Sequence, residues 1–481
     1  MSTKDLGITV KKADDLSEWY TQVVSKAQLA DYSSAKGFIV VMPYGFSIWE
    51  SIKAHFDRKI KEIGHQNAYF PLLIPERLLK KEAEHFEGFT PEVFWVTHSG
   101  NNELGERLAV RPTSETIINE AYSKWVKSWR DLPVLINVWN SVVRAEITST
   151  KPFIRTTEFL WQEGHTVHGT AEEAEKEVLT ILEIYRELVE DQLAIPVLLG
   201  KKTEAEKFKG AVYTTTLEAM MPDGKAIQMG TSHHLGQNFS KPFEIKFLGK
   251  DEKEHFAWTT SWGISWRLIG ATIMAHGDDK GLVLPPRVAP IQVVLVPIHY
   301  KESDKGVILQ AVHEIAKSLE KDFVRTFIDD REQHTPGWKY HEWEMKGVPL
   351  RVEIGPRDMQ AKQITVVRRD TGKKTGVPRT DVVSQIISLL DEIQQSLLQK
   401  AKDTQNNLTI TATNMKELKH TIETTGGFVK AFLSEENDCE EKIHHETGAT
   451  VRIVPFKESA KGKCVLCGAP NSREVYFARS Y

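Results

Sequence analysis

The stretch VVRAEITSTKPFIRTTEFLWQEGHT, residues 142–166, reads as two arms of a hairpin whose chemistry contradicts ordinary sheet burial. Side chains alternate between faces along a strand. The second arm therefore sets Arg155, Thr157, Phe159, Trp161, Glu163 and His165 on one side. A core face would be Val, Ile and Leu, and a solvent face would hardly alternate Phe and Trp with charges. A ligand face suits both. The first arm, LINVWNSVVRAE from Leu135 to Glu146, delivers Arg144 and Glu146 to a common side, and Thr148 to Pro152 reads as the loop between the arms. An arginine, rings and a carboxylate then converge on one concave surface. The competing reading is an antiparallel sheet with amphipathic borders and surface ion pairs, and the strands alone leave it open.

Further segments agree with the hairpin in order: RPTSE at 111–115, FLWQEGHT at 159–166, GTSHHLGQNF at 230–239 and GLVLPPRVAP at 281–290. On these the hairpin resembles motif 2 of a class II aminoacyl-tRNA synthetase. From about residue 17 to Tyr481 the chain resembles the prolyl-tRNA synthetase family, in the variant of archaea, the eukaryotic cytosol and some bacteria. The resemblance implies an α+β catalytic domain with an antiparallel class II synthetase sheet over residues 1–287. It implies an α/β anticodon-binding domain over 288–399 and a small α/β C-terminal domain, similar to zinc-binding ones, over 400–481. The activity implied is ATP-dependent attachment of L-proline to tRNA(Pro), in two steps through a prolyl-adenylate.

Composition is neutral toward this reading. A chain of 481 residues, 40% hydrophobic and 27% charged, is an ordinary soluble composition with room for several domains. The net charge of −4 excludes a generally basic nucleic-acid coat. A local basic surface is enough for tRNA, and residues 357–379 supply one, with Arg357, Lys362, Arg368, Arg369, Lys373, Lys374 and Arg379 against Asp358 and Asp370. The start, MSTKDLG, has no apolar leader and no run is long enough for a membrane span, so a cytoplasmic location is expected.

Apolar spacing predicts a helix over Phe46–Ile63 and a strand over Ala68–Ile74 ended by Pro75. In the family this pair resembles motif 1, with Pro71 at a subunit interface, which implies a homodimer. Thr170 and Glu173 form a capping box that starts a helix with an apolar stripe from Ala174 to Val189. After the prolines of 285–297 the pattern alternates strand and helix to Val367, an α/β unit with a mostly parallel sheet. A helix near Val382–Leu398 and the polar segment KAKDTQNN, 400–407, lead into the last unit.

Amino-acid activation needs positive charge around developing phosphoryl charge, a stacked base and a rigid acceptor for the amino acid, but no protein nucleophile. The resemblance implies Arg144 at the α-phosphate and the proline carboxylate, and Arg267 of SWGISWRLIG, which looks like motif 3, over adenine and the γ-phosphate. These two are the catalytic candidates. It implies further ATP contacts from Glu146, Arg155, Thr156, Phe159, Gln228 and Thr231. Proline contacts fall to Thr113, Glu115, Trp161, Glu163, His165, His233 and Ser265 besides Arg144, with the Glu115 carboxylate answering the ring ammonium. Trp266 departs from the family, which has a small or hydroxylated residue there. Strict alternation sets Thr231 and His233 on one face of their strand but Gln228 on the other, so their joint use needs a bulge or bend, for which Gly230 is well placed. Magnesium would come with ATP, with Glu146 and Glu158 as indirect ligands. Glu353, Arg357 and Lys362 are the anticodon candidates, since arginine, lysine and carboxylates read guanine edges.

The three cysteines lie near the end. Cys464 and Cys467 form a zinc-type CxxC pair. The family supplies two further cysteines; Cys439 matches one, Ser434 stands at the other, and His444 or His445 is the substitute fourth ligand for zinc. The resemblance also implies that Tyr481 approaches the catalytic site. Some bacterial relatives carry an editing domain between motifs 2 and 3, and the span from His165 to Gln228 is too short for one. Two rival readings remain. A non-catalytic paralogue should have lost Arg144, Phe159 or Arg267; a threonine-type synthetase should carry an early zinc-binding cysteine, and none precedes Cys439.

Overall fold

The structure, a computed structural model, describes residues 7–83, 92–147, 149–299, 302–435, 438–457 and 461–481. Ile48, Ile52, Phe56 and Ile60 form the buried stripe of α1 (Pro43–Glu62), which begins ahead of Phe46 because Pro43 takes the first helical turn, where its missing N–H is no loss. The catalytic sheet then builds from β1 (Gln66–Ala68) and, after α2 (Glu115–Trp125), β2 (Val134–Val143) and β3 (Glu158–His168). The chain continues through α3 (Ala171–Glu187), β4 (Leu198–Lys201), β5 (Tyr213–Met220), β6 (Ala226–Gly236), β7 (Trp258–Ser265) and α4 (Arg267–His276). Strand order is β1-β2-β3-β7-β6-β5-β4. Every pair is antiparallel except the edge pair β1-β2. The expected antiparallel sheet is present.

One face of this sheet is packed by α1 and α3. Phe56 stacks on Tyr185 at 5.2 Å, and Trp262 meets Phe56 edge-on at 6.1 Å. Gly164 is required beneath them, because a Cβ there would run into the Trp262 indole. The capping box is as expected: the Thr170 hydroxyl accepts from Glu173 N, and Glu173 accepts from Thr170 N. Between His168 and Ala226 the chain is taken up by α3, β4 and β5.

Two local expectations need correction. The segment 68–74 is two strands, not one: β1 joins the main sheet, while Leu73–Pro75 joins a separate three-stranded sheet. Pro71 lies between them and cannot donate to either ladder. The hairpin arms end earlier than their polarity suggested, at Val143 and Glu158, so Arg155 and Thr157 are off the strand. A tight turn from Lys151 to Arg155 folds back on itself instead, anchored by the buried Phe153 against Trp266. Thr148 lies outside the described residues.

The second unit runs β8 (Val293–Pro297), α5 (Glu302–Lys321), β9 (Thr326–Ile328), α6 (Pro336–Met345), β10 (Leu350–Ile354), α7 (Pro356–Ala361), β11 (Gln363–Arg368), β12 (Lys374–Pro378) and α8 (Val382–Asn407). Its sheet, ordered β9-β8-β10-β11-β12, is mixed rather than mostly parallel. β10 and β11 are antiparallel because the short α7 connection cannot make the crossover of a dozen or so residues that a parallel return needs, and β11 and β12 are antiparallel because a short turn joins them. KAKDTQNN is not a linker. It is the last two turns of α8, so the boundary expected at residue 400 falls inside a helix.

The third unit contains β13 (Thr409–Thr411), α9 (Met415–Thr424), β14 (Phe428–Leu433), α10 (Cys439–Thr447), β15 (Thr450–Ile453) and β16 (Arg473–Ala478), with strand order β13-β14-β16-β15. It docks on the free edge of the catalytic sheet. Lys201 and Val454 exchange backbone hydrogen bonds of 2.8 and 2.9 Å. Among the described residues no helix is long and apolar enough to cross a membrane.

Candidate active site

The sheet face away from α1 and α3 opens into a cavity of about 660 Å³. Alternation along β3 does what the sequence implied: Phe159, Trp161, Glu163 and His165 line the cavity, whereas Gln162 turns inward to meet the Tyr185 hydroxyl at 2.7 Å. Thr113, Glu115, Arg144, Glu146, Gln228, Thr231, His233, Ser265 and Arg267 line it as well. Residues far apart in sequence therefore share one wall.

Its acidic end is built in two layers. Glu115 opens α2 and accepts a hydrogen bond from the Thr113 hydroxyl; among the described residues no cation lies within ion-pair distance of it. Glu163, by contrast, is fully engaged, accepting from Ser114 N at 3.2 Å, Asn140 Nδ2 at 2.8 Å and His165 Nε2 at 3.0 Å. Burial would raise the Glu163 pKa, but His165, Ser114 and Asn140 outweigh it and hold the carboxyl below its usual range. Burial likewise opposes protonation of His165, and Glu163 reverses that and raises its pKa. The pair is tied into the wall, whereas Glu115 faces the cavity and among the described residues has no ion-pair partner. Asn140, which the sequence reading missed, also accepts from Trp161 Nε1 at 2.6 Å. Its only signal is register, since it stands opposite Trp161 on β2.

The basic end holds two arginines. Arg144 lies over the rings of Phe159 and Trp161 at 5.2 and 5.8 Å, and its Nε donates to Pro112 O at 3.4 Å. Arg267, the first residue of α4, donates from Nε to Ile154 O at 3.3 Å. Among the described residues neither has a carboxylate within ion-pair distance. Burial lowers the pKa of both; for Arg267 burial and then repulsion from Arg144 bring it down to about 10. Two half-buried, mutually repelling guanidinium groups are a costly arrangement that an anion relieves. Trp266 does not disturb the site, because it turns into the core against Phe153.

The bulge also forms. Gly230 pairs with Leu217 but Gln228 with Glu218, leaving Met229 as the extra residue, and this brings Gln228 round to the cavity. His233 is held between the hydroxyls of Thr214 and Thr231, at 2.9 and 3.0 Å. Burial, then His165, pushes its pKa down to about 3, so it stays neutral. It is not half of a surface pair.

Some candidates lie outside the lining. Arg155 is exposed at the base of the hairpin turn, Thr156 is buried with an unpartnered hydroxyl, and Glu158 does not reach the cavity. Tyr481 approaches the same turn rather than the cavity: its hydroxyl donates to Asp223 at 2.6 Å and its ring lies under Lys151 at 5.3 Å. Lys202 and Glu206 line the cavity and were not foreseen; both follow β4, and Lys202 belongs to a buried ion cluster with Glu218 and Arg452.

In the second unit, Glu353 is buried and accepts from Arg351 at 3.0 Å and Lys374 at 3.3 Å, while Arg357 and Lys362 are exposed on and beyond α7. Part of the basic stretch is spent internally. Arg368 pairs with Asp370 and Glu392, and Arg369 with Asp278 of the catalytic domain.

In the third unit the sulfur atoms of Cys439, Cys464 and Cys467 lie within 4.8 Å of one another, a soft donor set able to hold a metal ion. Burial raises the Cys464 pKa, but backbone N–H groups of Cys467, Ser434 and Leu466 outweigh it and favour the thiolate. The cluster does not include His444 or His445, which are exposed on α10. The helix carries Cys439 at its start.

Three family models match in order. The tRNA synthetase class II core domain (G, H, P, S and T) matches residues 94–276, an anticodon binding domain matches 292–389, and the prolyl-tRNA synthetase C-terminal domain matches 415–481. Among curated relatives, a proline–tRNA ligase of Cenarchaeum symbiosum is 57% identical across 99% of this chain and 100% of its own length. One from Natranaerobius thermophilus is 52% identical over 98% of this chain and 97% of its own. Among solved structures, prolyl-tRNA synthetase from Cryptosporidium parvum, complexed with halofuginone and AMPPNP, aligns with a TM-score of 0.94 at 44% identity, covering 99% of this chain and 100% of that one.

Proposed function

The chain belongs to the prolyl-tRNA synthetases, ligases that attach proline to tRNA in an ATP-dependent two-step reaction, and we propose how its cavity residues divide that work. The proline carboxylate attacks the α-phosphate of ATP, an O–P bond forms, and pyrophosphate leaves with the electrons of the bond that breaks. Arg144 neutralises the carboxylate and the α-phosphate together, which a planar guanidinium does better than an ammonium. Arg267 caps adenine opposite Phe159 and reaches toward the departing phosphates. Gln228 and Thr231 fix the nucleotide. At the other end Glu115 and Thr113 hold the ring ammonium, and Trp161, His165, His233 and Ser265 form the wall, with Glu163 setting their geometry. The observation that carries this reading is the pair of half-buried arginines which, among the described residues, lack a carboxylate partner and face Glu115 across one cavity.

Arg155 and Thr156 contribute from the hairpin turn. Magnesium would come with ATP, held mainly by phosphates and water, and Glu146 on the cavity wall would be an indirect ligand. In the second step the terminal ribose hydroxyl of tRNA attacks the adenylate carbonyl and AMP leaves. Glu353, Arg357 and Lys362 take part in reading the anticodon. Cys439, Cys464 and Cys467 would hold a structural zinc ion. Two copies pair through the segment around Pro71, where Tyr69 and Leu72 are exposed apolar residues. The work is cytoplasmic.

Amino-acid-dependent exchange between ATP and pyrophosphate, run with each standard amino acid, tests the reading. Proline should support the fastest exchange, and comparable exchange with another amino acid but not with proline would overturn it.

A further inference from the structure

The carboxylate of Glu218 lies just behind the cavity wall. Thr214, Thr216 and Glu218 alternate on the same face of β5, and Thr214 lines the cavity; across the ladder Glu218 stands opposite Gln228. Glu218 is completely buried and accepts from Lys202 at 2.7 Å and Thr216 at 3.1 Å. It also accepts a two-pronged contact from Arg452, at 2.9 to 3.1 Å. Arg452 belongs to β15 of the C-terminal domain. It is the unpaired residue where the β15-β16 register slips between Val451 and Ile453, and this irregularity frees its side chain to cross the domain boundary.

Charge counting shows what the crossing does. The catalytic domain supplies two carboxylates here, Glu218 and the cavity-lining Glu206, against one cation, Lys202. Left alone, that cluster carries one surplus negative charge beside the residues that face ATP. Arg452 pairs with Glu218 and approaches Glu206 at 3.7 Å, and so cancels it. Burial would raise the Glu218 pKa, yet Lys202 and Arg452 together keep it ionised, and the charges of Glu218 and Arg452 are both felt at Arg267.

We propose that Arg452 is a positioning residue for the nucleotide: the C-terminal domain lends it to the catalytic sheet to neutralise a carboxylate that would otherwise repel ATP. This rests on reading the cavity as the ATP and proline site. A buried ion pair is weak evidence of stability by itself. A mere domain staple and a charge balance make different predictions. Proline enters as a zwitterion, so an uncancelled charge discriminates against ATP far more.

The test is ATP–pyrophosphate exchange with full-length variants, reading the KM for ATP and for proline separately. Arg452→Met should raise the ATP KM about tenfold and leave the proline KM within about twofold, and Arg452→Lys should largely restore it. The decisive variant joins Arg452→Met to Glu218→Gln, which removes both charges and returns the cluster to balance: its ATP KM should come back toward wild type. Equal shifts in both KM values, or a folded double variant that stays impaired for ATP, would overturn the proposal. A double variant that does not fold, by circular dichroism, overturns it too, in favour of the staple. Should the wild-type protein show no proline-dependent exchange, the reading of the cavity fails before any variant is compared.

Discussion

Gln228 stands opposite Glu218 in the β5-β6 ladder, while the next pair is Gly230 with Leu217, so Met229 bulges and Gln228 shares the cavity with Thr231 and His233. The bulge depends on Gly230. A Cβ there would sit 2.8 Å from Ile264 Cγ2 and 3.3 Å from Tyr185 Cδ2. Gly230→Val should cost about 1–3 kcal/mol of stability by overpacking and raise the ATP KM, because Gln228 is re-aimed with the strand. Denaturant unfolding together with exchange kinetics checks both, and an unchanged ATP KM in a destabilised variant would separate the bulge from nucleotide binding.

Arg144 and Arg155 differ in setting more than in chemistry. Arg144 is half-buried in the cavity wall; Arg155 is exposed on the turn and screened by solvent. Arg144→Ala should lose about 3 kcal/mol or more of transition-state stabilisation with the fold intact, whereas Arg155→Ala should lose less than about tenfold in kcat/KM. Exchange rates at saturating proline decide between them. A deficit for Arg155→Ala as deep as for Arg144→Ala would show that the turn closes on the phosphates.

The two buried acids should also part company. Glu115→Gln keeps the shape but removes the charge facing the ring ammonium, so the proline KM should rise by about tenfold or more with little change for ATP. Glu163→Gln leaves three donors with a poorer acceptor and should cost about 1–3 kcal/mol of stability. Substrate KM values and thermal unfolding of the pair of variants test this. A proline KM unmoved in Glu115→Gln would require the pocket to be redrawn.

For the cysteine cluster, protein purified without chelators should contain up to one zinc per chain, lost when Cys464→Ser and Cys467→Ser are combined. Elemental analysis measures it. Normal activity with no metal would mean that Ser434 marks a site this chain has abandoned.

Fidelity follows from pocket size. Alanine is smaller than proline, and two missing methylenes are worth only a few kcal/mol, so binding alone rejects it poorly. The segment between β3 and β6 is spent on α3 and two strands of the catalytic sheet. Alanyl-tRNA specific for proline should therefore be made at a measurable rate and not hydrolysed by this protein. Incubation with preformed alanyl-tRNA tests it, and enzyme-dependent deacylation above the spontaneous rate would refute it.

Local sequence determined the features whose cause is local. Period-two alternation put Phe159, Trp161, Glu163 and His165 on one wall, the Thr170–Glu173 box started α3, and the clash between alternation and shared use at Gln228–His233 required the bulge that forms. Polarity misled where context outweighs it: KAKDTQNN looked like a linker, yet it continues α8, whose Leu397 and Gln405 find burial. The sequence likewise could not show that Lys202, Glu218 and Arg452 meet. Glu218 and Arg452 are 234 residues apart, and neither strand betrays a partner. A charge can enter the interior only where another chain segment satisfies it, and that partner is chosen by how whole domains dock; here the tertiary structure alone decided that the C-terminal domain completes the electrostatics of the catalytic sheet.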